Sequence, residues 1–501
     1  MTLSIGHFIA GQAEPGTGER SGPVFNPSTG EEIARCPYAS RATLDRAVAA
    51  AGEAARQWGR ASHATRQAVI FKLRELVIAN TDLLAETIGR EHGKTLADAK
   101  GEIGRAVEGI EFAVNAPQVT KGEFAANVGG DIDVFSLRVP IGVVGAITPF
   151  NFPIMVPAVM MTMAVSVGNA IVWKPSEKVP STALIFARLW QQAGLPDGVF
   201  NVVQGDKEMV DAMLEHPGIA GVSFVGSTAV GEYVYQKGTS HNKRVAAFTG
   251  GKNHMLVMPD ADLESAASAF VSAGFGSASQ RCMAVSLLLP VGEETADRLR
   301  ELVLQKTRAL HIGAYNDPRA DFGAVVSLQS KQAVERAIGT CIEQGGELLL
   351  DGRGLRVPGH ENGYYIGPTL FDRVTTGMEL YQQEIFGPVR GIMRPASFDE
   401  ALAITNAHEY GNGAVIFTRD GKSAHRFMHE IESGMIGVNV PVPLPAGFFN
   451  FGGLRRSKFG EGHLYGPDAA RFYTKIKTVS QRWPEPDQQA APVSLAFNPK
   501  G

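Results

Sequence analysis

The chain has 501 residues, 44% of them hydrophobic and 20% charged, with a formal net charge of −4. That length supports two or three domains with sizeable cores, and the near balance of charge argues against a nucleic-acid or membrane-surface binder, which carries a basic excess. Three cysteines, Cys36, Cys282 and Cys341, with no CxxC pair, argue against a disulfide framework or a metal cluster and fit a reducing, cytoplasmic compartment.

The first residues, "MTLSIGHFIAGQAEPG", lack a basic region followed by an apolar run, so no secretory signal is expected. Leu44 to Ala116 carries helical patterns rich in alanine. Val139 to Trp173 holds no charged residue, which raises the question of a membrane span. Pro140, Pro149, Pro153 and Pro157 interrupt it, so no apolar run reaches the ~20 residues a bilayer needs. It divides instead into a β-rich "VVGAIT", a break at "PFNFP", a helical "PAVMMTMAVSVGN" and a second strand, "AIVWK". Thr182 to Ala193 reads as a helix closed by "GLPDG"; "VFNVVQG" and "GVSFVGST" read as further strands. Strands alternating with helices predict a parallel, doubly wound sheet. After Gly250 the alternation resumes with "AVSLLLPV", a helix over Thr295 to Leu310, "GPTLFDRV" and "NGAVIFTR", a second α/β domain reaching about Pro443. The end, "WPEPDQQAAPVSLAFNPKG", reads as a polar, proline-rich tail.

Several residues in this frame are candidates for chemistry. In "FVGSTAVGEYV", Gly226, Ser227 and Gly231 fall where a strand turns into a helix, whose free N–H groups suit a phosphate; an ordinary strand–helix turn fits the same letters. "WKPSE" ends a strand with Lys174 and Glu177, where ligands of open α/β sheets bind; a solvated charge pair is the plain alternative. Asn151 sits in an apolar loop, fit either to donate to an oxyanion or to cap a turn. Cys282, in "GSASQRCMAVS", is a nucleophile or an inert core cysteine, and Arg281 beside it would favour a thiolate.

Together and in order, PFNFP, KPSE, FVGST, TGGKN, QRCM, EIFGPV and GGLRRSKFG resemble the aldehyde dehydrogenase superfamily from about residue 5 to residue 483. "GKNHMLVMPDADL", "GSASQRCM", "NGYYIGPTL", "FFNFGGLRRSKFG" and "RFYTKIKTVSQRW" resemble its CoA-acylating methylmalonate-semialdehyde (malonate-semialdehyde) branch. The resemblance implies an α/β fold. A Rossmann-type NAD-binding domain would take residues 1–129 and 141–250, and an α/β catalytic domain residues 251–443. Strands at 130–140 and 472–490 would form an oligomerisation ribbon, followed by a tail at 491–501.

It also implies roles. Cys282 corresponds to the nucleophile, and Asn151 to the oxyanion amide that works with the Cys282 N–H. Phe150, Lys174, Glu177, Gly226, Ser227, Glu384 and Phe386 correspond to NAD contacts. Lys174 and Glu177 fall at the adenosine ribose, Gly226 and Ser227 at the pyrophosphate, and Glu384 and Phe386 at the nicotinamide ribose. Arg105 and Arg281 correspond to a clamp for a substrate carboxylate, for which guanidinium geometry is suited. No metal is implied. A homotetramer, a dimer of dimers, is.

Hydrolytic members carry a glutamate at the start of E-L-G-G-K that activates water. Here that position is Phe248, in "AAFTGGKN", and a phenyl ring takes no proton. A thiol with a pKa of about 8.5 needs no such base. The expectation is NAD-dependent, CoA-acylating oxidation of a carboxylated semialdehyde through a Cys282 thioester, with decarboxylation. The alternative is a hydrolytic enzyme that releases a free acid. His254, beside TGGK, reads equally as a packing or a functional residue.

Overall fold

The computed structural model describes residues 3–16 and 20–483. The alanine-rich stretch forms four helices, Arg41–Trp58, His63–Ala79, Thr81–His92 and α1 (Leu96–Ala113). Ser40, Ser62 and Thr95 start the first, second and fourth by accepting backbone N–H groups on their side-chain oxygens.

The uncharged run splits into β1 (Val143–Ile147), α2 (Met155–Ser166) and β2 (Ala170–Lys174), with both strands entirely buried. Burial on both faces explains the continuous apolar letters. Among the described residues no helix is long and apolar enough to cross a membrane. With Phe200–Val202, β3 (Gly221–Val225) and β4 (Arg244–Phe248), these strands form a parallel core. Its order is β4–β3–β1–β2 and then Phe200–Val202. Strand order reverses between β1 and β3, so the loops leaving those two strands open a crevice at the carboxyl end of the sheet. Antiparallel strands Gly6–Ile9 and Gln12–Pro15 extend one edge and Lys458–Phe459 the other.

A second sheet of seven strands contains β5 (Asn253–Val257) and β6 (Val285–Pro290) at its centre. Between them runs α4 (Leu263–Phe275). Each sheet has its own apolar core, one including Trp173, Phe186 and Trp190, the other Phe270, Phe275 and Phe371. The segment Leu464–Tyr473 returns to the first core.

Asp133–Pro140 pairs antiparallel with Thr474–Gln481 along its full length, and with Phe124–Ala125 on its other side. Where oligomerisation strands are expected at 130–140 and 472–490, the paired strands run over Asp133–Pro140 and Thr474–Gln481. Residues 484–490 of the second strand and the tail 491–501 lie outside the described residues.

Candidate active site

One cleft of about 800 Å³ opens at the strand-order reversal. Phe150, Asn151, Lys174, Glu177, Gly226, Ser227, Cys282, Glu384 and Phe386 all line it, brought from both sheets. Arg105 and Arg281 do not.

Local geometry explains several of these placements. Lys174 Nζ meets Glu177 Oε2 at 3.1 Å, and the lysine side chain is only 7% exposed, so this is not a solvated surface pair. Burial works to raise the Glu177 carboxyl, but Lys174 and hydrogen bonding outweigh it and hold it below the usual range. Gly226 ends β3 and precedes α3 (Thr228–Ser240). A Cβ on Gly226 would lie 2.5 Å from Phe224 Cζ, so only glycine lets the turn pass the ring. Phe150 meets Phe386 edge-on, centroids 5.8 Å apart, and Phe386 holds a left-handed φ of 52°.

The nucleophile candidate follows an unusual turn. After α4 ends, Ser277, Ala278 and Ser279 take φ values of 56°, 50° and 63°. Three successive non-glycine residues there store strain that surrounding contacts must hold. Ser279 Oγ donates to Gly274 O at 2.5 Å. Cys282 O accepts from Asn253 Nδ2 at 2.8 Å and from Asn412 Nδ2 at 2.9 Å. Asn151 is buried, and its Nδ2 donates to Gln280 O at 3.0 Å. It caps no turn; it ties the first sheet's loop to the cysteine's own strand of chain.

Burial pushes the Cys282 thiol up to about 12, and the Glu384 charge adds to the rise. The expectation that Arg281 favours a thiolate is therefore corrected. Its guanidinium turns to Asp98, Nη2 to Oδ1 at 2.5 Å. Glu384 itself is pushed up to about 7 by burial, while it accepts from Gly251 N at 3.1 Å. Lys252, pushed down to about 7 by burial, donates to Gln383 O at 2.7 Å. Arg105 pairs with Glu108 at 2.7 Å on α1 and is 42% exposed.

Phe248 ends β4, buried. Its ring lies 5.9 Å from Phe451, 6.0 Å from His463 and 5.8 Å from Lys458 Nζ. Asp260 accepts from Thr418 and Arg419, and Asp262 caps α4 through Ser265 N. His254 is buried against Tyr381 and His408 at 5.8 and 5.6 Å. Asn253, Asn412, Gln280, Lys94 and Glu102 support the site without having been singled out from sequence. Asn253 sits in TGGKN and Gln280 in QRCM, so both lay within motifs already noted.

The fold is that of the aldehyde-oxidising enzymes. The chain belongs to the aldehyde dehydrogenase family, whose model covers residues 14–479. It is 48% identical to the malonate-semialdehyde dehydrogenase of Pseudomonas aeruginosa, over 96% of this chain and 97% of that one. It is 43% identical to the acylating methylmalonate-semialdehyde dehydrogenase of Arabidopsis thaliana, over 92% and 76% respectively. A solved methylmalonate-semialdehyde dehydrogenase from Oceanimonas doudoroffii superposes with a TM-score of 0.95 at 47% identity, covering 97% of this chain and 99% of that one. A structure from Sinorhizobium meliloti 1021 complexed with NAD does so with a TM-score of 0.96 at 46% identity, with the same coverage.

Proposed function

We propose that this enzyme oxidises malonate or methylmalonate semialdehyde, with NAD as oxidant and coenzyme A as acyl acceptor, and releases acetyl-CoA or propionyl-CoA after loss of the carboxylate. The names of the relatives support the substrate class, and the acylating relative supports the acceptor. The observation that carries the reading is Phe248, a ring packed among Phe451, His463 and Lys458 at the sequence position where hydrolytic members carry their glutamate.

The cleft fits a dinucleotide. Lys174 and Glu177 stand at the end of β2 for a ribose diol, and the Glu177 carboxylate disfavours a 2′-phosphate, so NAD is preferred over NADP. The Gly226–Ser227 turn faces the cleft at the start of α3 for the pyrophosphate. Glu384 and Phe386 line the Cys282 end. The dinucleotide, when bound, supplies the hydride acceptor.

The chain's own residues do the rest. Cys282 Sγ, after losing its proton, attacks the aldehyde carbon. The second N–H of Asn151 Nδ2 and the Cys282 N–H receive the oxyanion. Oxidation leaves a β-carboxyl thioester, which loses its carboxylate as carbon dioxide and takes up a proton at the same carbon; the thiolate of coenzyme A then displaces Cys282 from the acyl group. Arg281 and Arg105 are assigned the substrate carboxylate, although neither lines the cleft and their guanidinium groups meet Asp98 and Glu108. The same reading assigns the first sheet to cofactor binding, the second to catalysis, and the ribbon, with exposed Phe124, Leu137 and Ile476, to homotetramer assembly. It places the enzyme in the cytoplasm.

The test follows NADH formation with malonate semialdehyde and NAD, with and without coenzyme A. A single burst without it and steady turnover with it is the expected result. Equal turnover in both would overturn the thiolytic reading in favour of hydrolysis.

A further inference from the structure

The loop that carries Asn151 is fixed by a buried ion pair from a different part of the chain. Lys94 precedes α1 and Glu102 lies within it; Nζ and Oε2 are 2.8 Å apart, with side chains 1% and 0% exposed. Lys94 Nζ also donates to Asn151 O at 2.6 Å. The other Glu102 oxygen, Oε1, accepts from Ile154 N at 2.8 Å and Met155 N at 3.1 Å. Those amides open α2, which has no side-chain cap of its own. The aromatic neighbours of Asn151 are held from the same place. His92 stacks on Phe150 with centroids 5.9 Å apart, and Lys94 Nζ lies 4.5 Å from the Phe152 ring centroid.

A buried ion pair is weak ground for stability alone, because desolvating both charges offsets much of their attraction. Its geometric effect here is specific. Lys94 holds the Asn151 carbonyl, Glu102 holds the start of α2 three residues on, and the pair joins the two. The Asn151 backbone is thereby held at its carbonyl, while its side chain is held by the Nδ2 bond to Gln280 O. An oxyanion donor is effective when it is fixed beforehand.

We propose that Lys94 and Glu102 are positioning residues for the oxyanion-binding amide of Asn151. This rests on the reading of Asn151 as that donor. Neither residue touches the reacting atoms; each acts through the loop backbone.

The test is a double-mutant cycle read on the NADH burst without coenzyme A. Lys94→Met and Glu102→Gln are each made alone and with Asn151→Ala. Glu102→Gln keeps an acceptor for the α2 amides, so it serves if Lys94→Met fails to fold. Each single change is expected to slow the burst about 10- to 100-fold, somewhat less than loss of an oxyanion donor outright, with the NAD dissociation constant unchanged. In the Asn151→Ala background the same changes are expected to slow it less than about twofold, since the group they position is gone. Full multiplicative slowing there would overturn the positioning role. An unimpaired burst in Asn151→Ala alone would instead remove the oxyanion reading, and the proposal with it.

Discussion

Arg281 reaches from the residue before Cys282 to Asp98 on α1, Nη2 to Oδ1 at 2.5 Å, while Asp98 Oδ2 is buried without a partner among the described residues. The guanidinium lies over Gly276, where a Cβ would come within 2.6 Å of Arg281 Nη1. Asp98 accepts from one guanidinium nitrogen; under the proposed function the remaining N–H groups would serve the substrate carboxylate. A hydrogen bond between charged groups contributes about 1.5–3 kcal/mol, or roughly 10- to 150-fold. Arg281→Leu is expected to lower kcat/KM for malonate semialdehyde by that factor and to change propanal oxidation much less. Equal loss with both aldehydes would argue against a clamp.

The half-buried Cys282 thiol makes a pH prediction. A Cys282 pKa of about 12 means that the free protein holds the protonated form at neutral pH. Iodoacetamide alkylation should rise about tenfold per pH unit, with no plateau below roughly pH 10, in contrast to a free thiol near 8.5. The Glu384 anion contributes to the rise, so removing it lowers the thiol pKa. Glu384→Gln should therefore alkylate faster than the parent at the same pH. A midpoint below about 8 would show that another group activates the cysteine.

The central strands were readable because buried parallel strands leave uninterrupted apolar runs, as in "AIVWK" and "AVSLLLP". Gly6–Ile9 and Lys458–Phe459 were not, because each is short and joins its sheet through a partner far away in sequence. The cleft residues that sit in compact motifs were found; Asn412, Lys94 and Glu102 were not. Each of these three acts by touching another chain segment, Asn412 on Cys282 O and Lys94 on Asn151 O, and nothing in their local sequence marks that contact. Arg281 shows the opposite failure. Adjacency to Cys282 suggested a charge acting on sulfur, but side-chain direction took that charge to Asp98.

Phe248 offers a gain-of-function test. Phe248→Glu places a carboxylate where the ring now meets Phe451 and His463, with Lys458 Nζ 5.8 Å from the ring centroid. Burial will raise the new carboxyl toward neutrality, which suits a general base, and Lys458 will oppose part of that rise. The expected outcome is NADH formation that continues past the burst without coenzyme A, with a lowered melting temperature from the lost aromatic packing. If the variant folds and binds NAD yet stays limited to one burst, occupancy of this position is not what separates thiolysis from hydrolysis here.

Gly250 lies directly beneath Glu384. A Cβ at Gly250 would sit 2.5 Å from Glu384 Oε2 and 2.8 Å from Thr228 Oγ1, closer than any unstrained contact. Thr228 Oγ1 accepts from Gly250 N at 3.2 Å, and Glu384 Oε1 accepts from Gly251 N at 3.1 Å, so the tight fit is hydrogen-bonded on both sides. Gly250→Ala must shift the Glu384 carboxylate, the nearest atom a Cβ would meet, and crowds the Thr228 hydroxyl beside it. Overpacking of this kind destabilises by about 1–3 kcal/mol. The functional effect should exceed the stability effect: a raised KM for NAD and a slower burst, with the coenzyme A dependence of turnover intact. A variant with parental NAD binding and parental burst rate would show that Glu384 can move freely without consequence, and would remove it from the cofactor site.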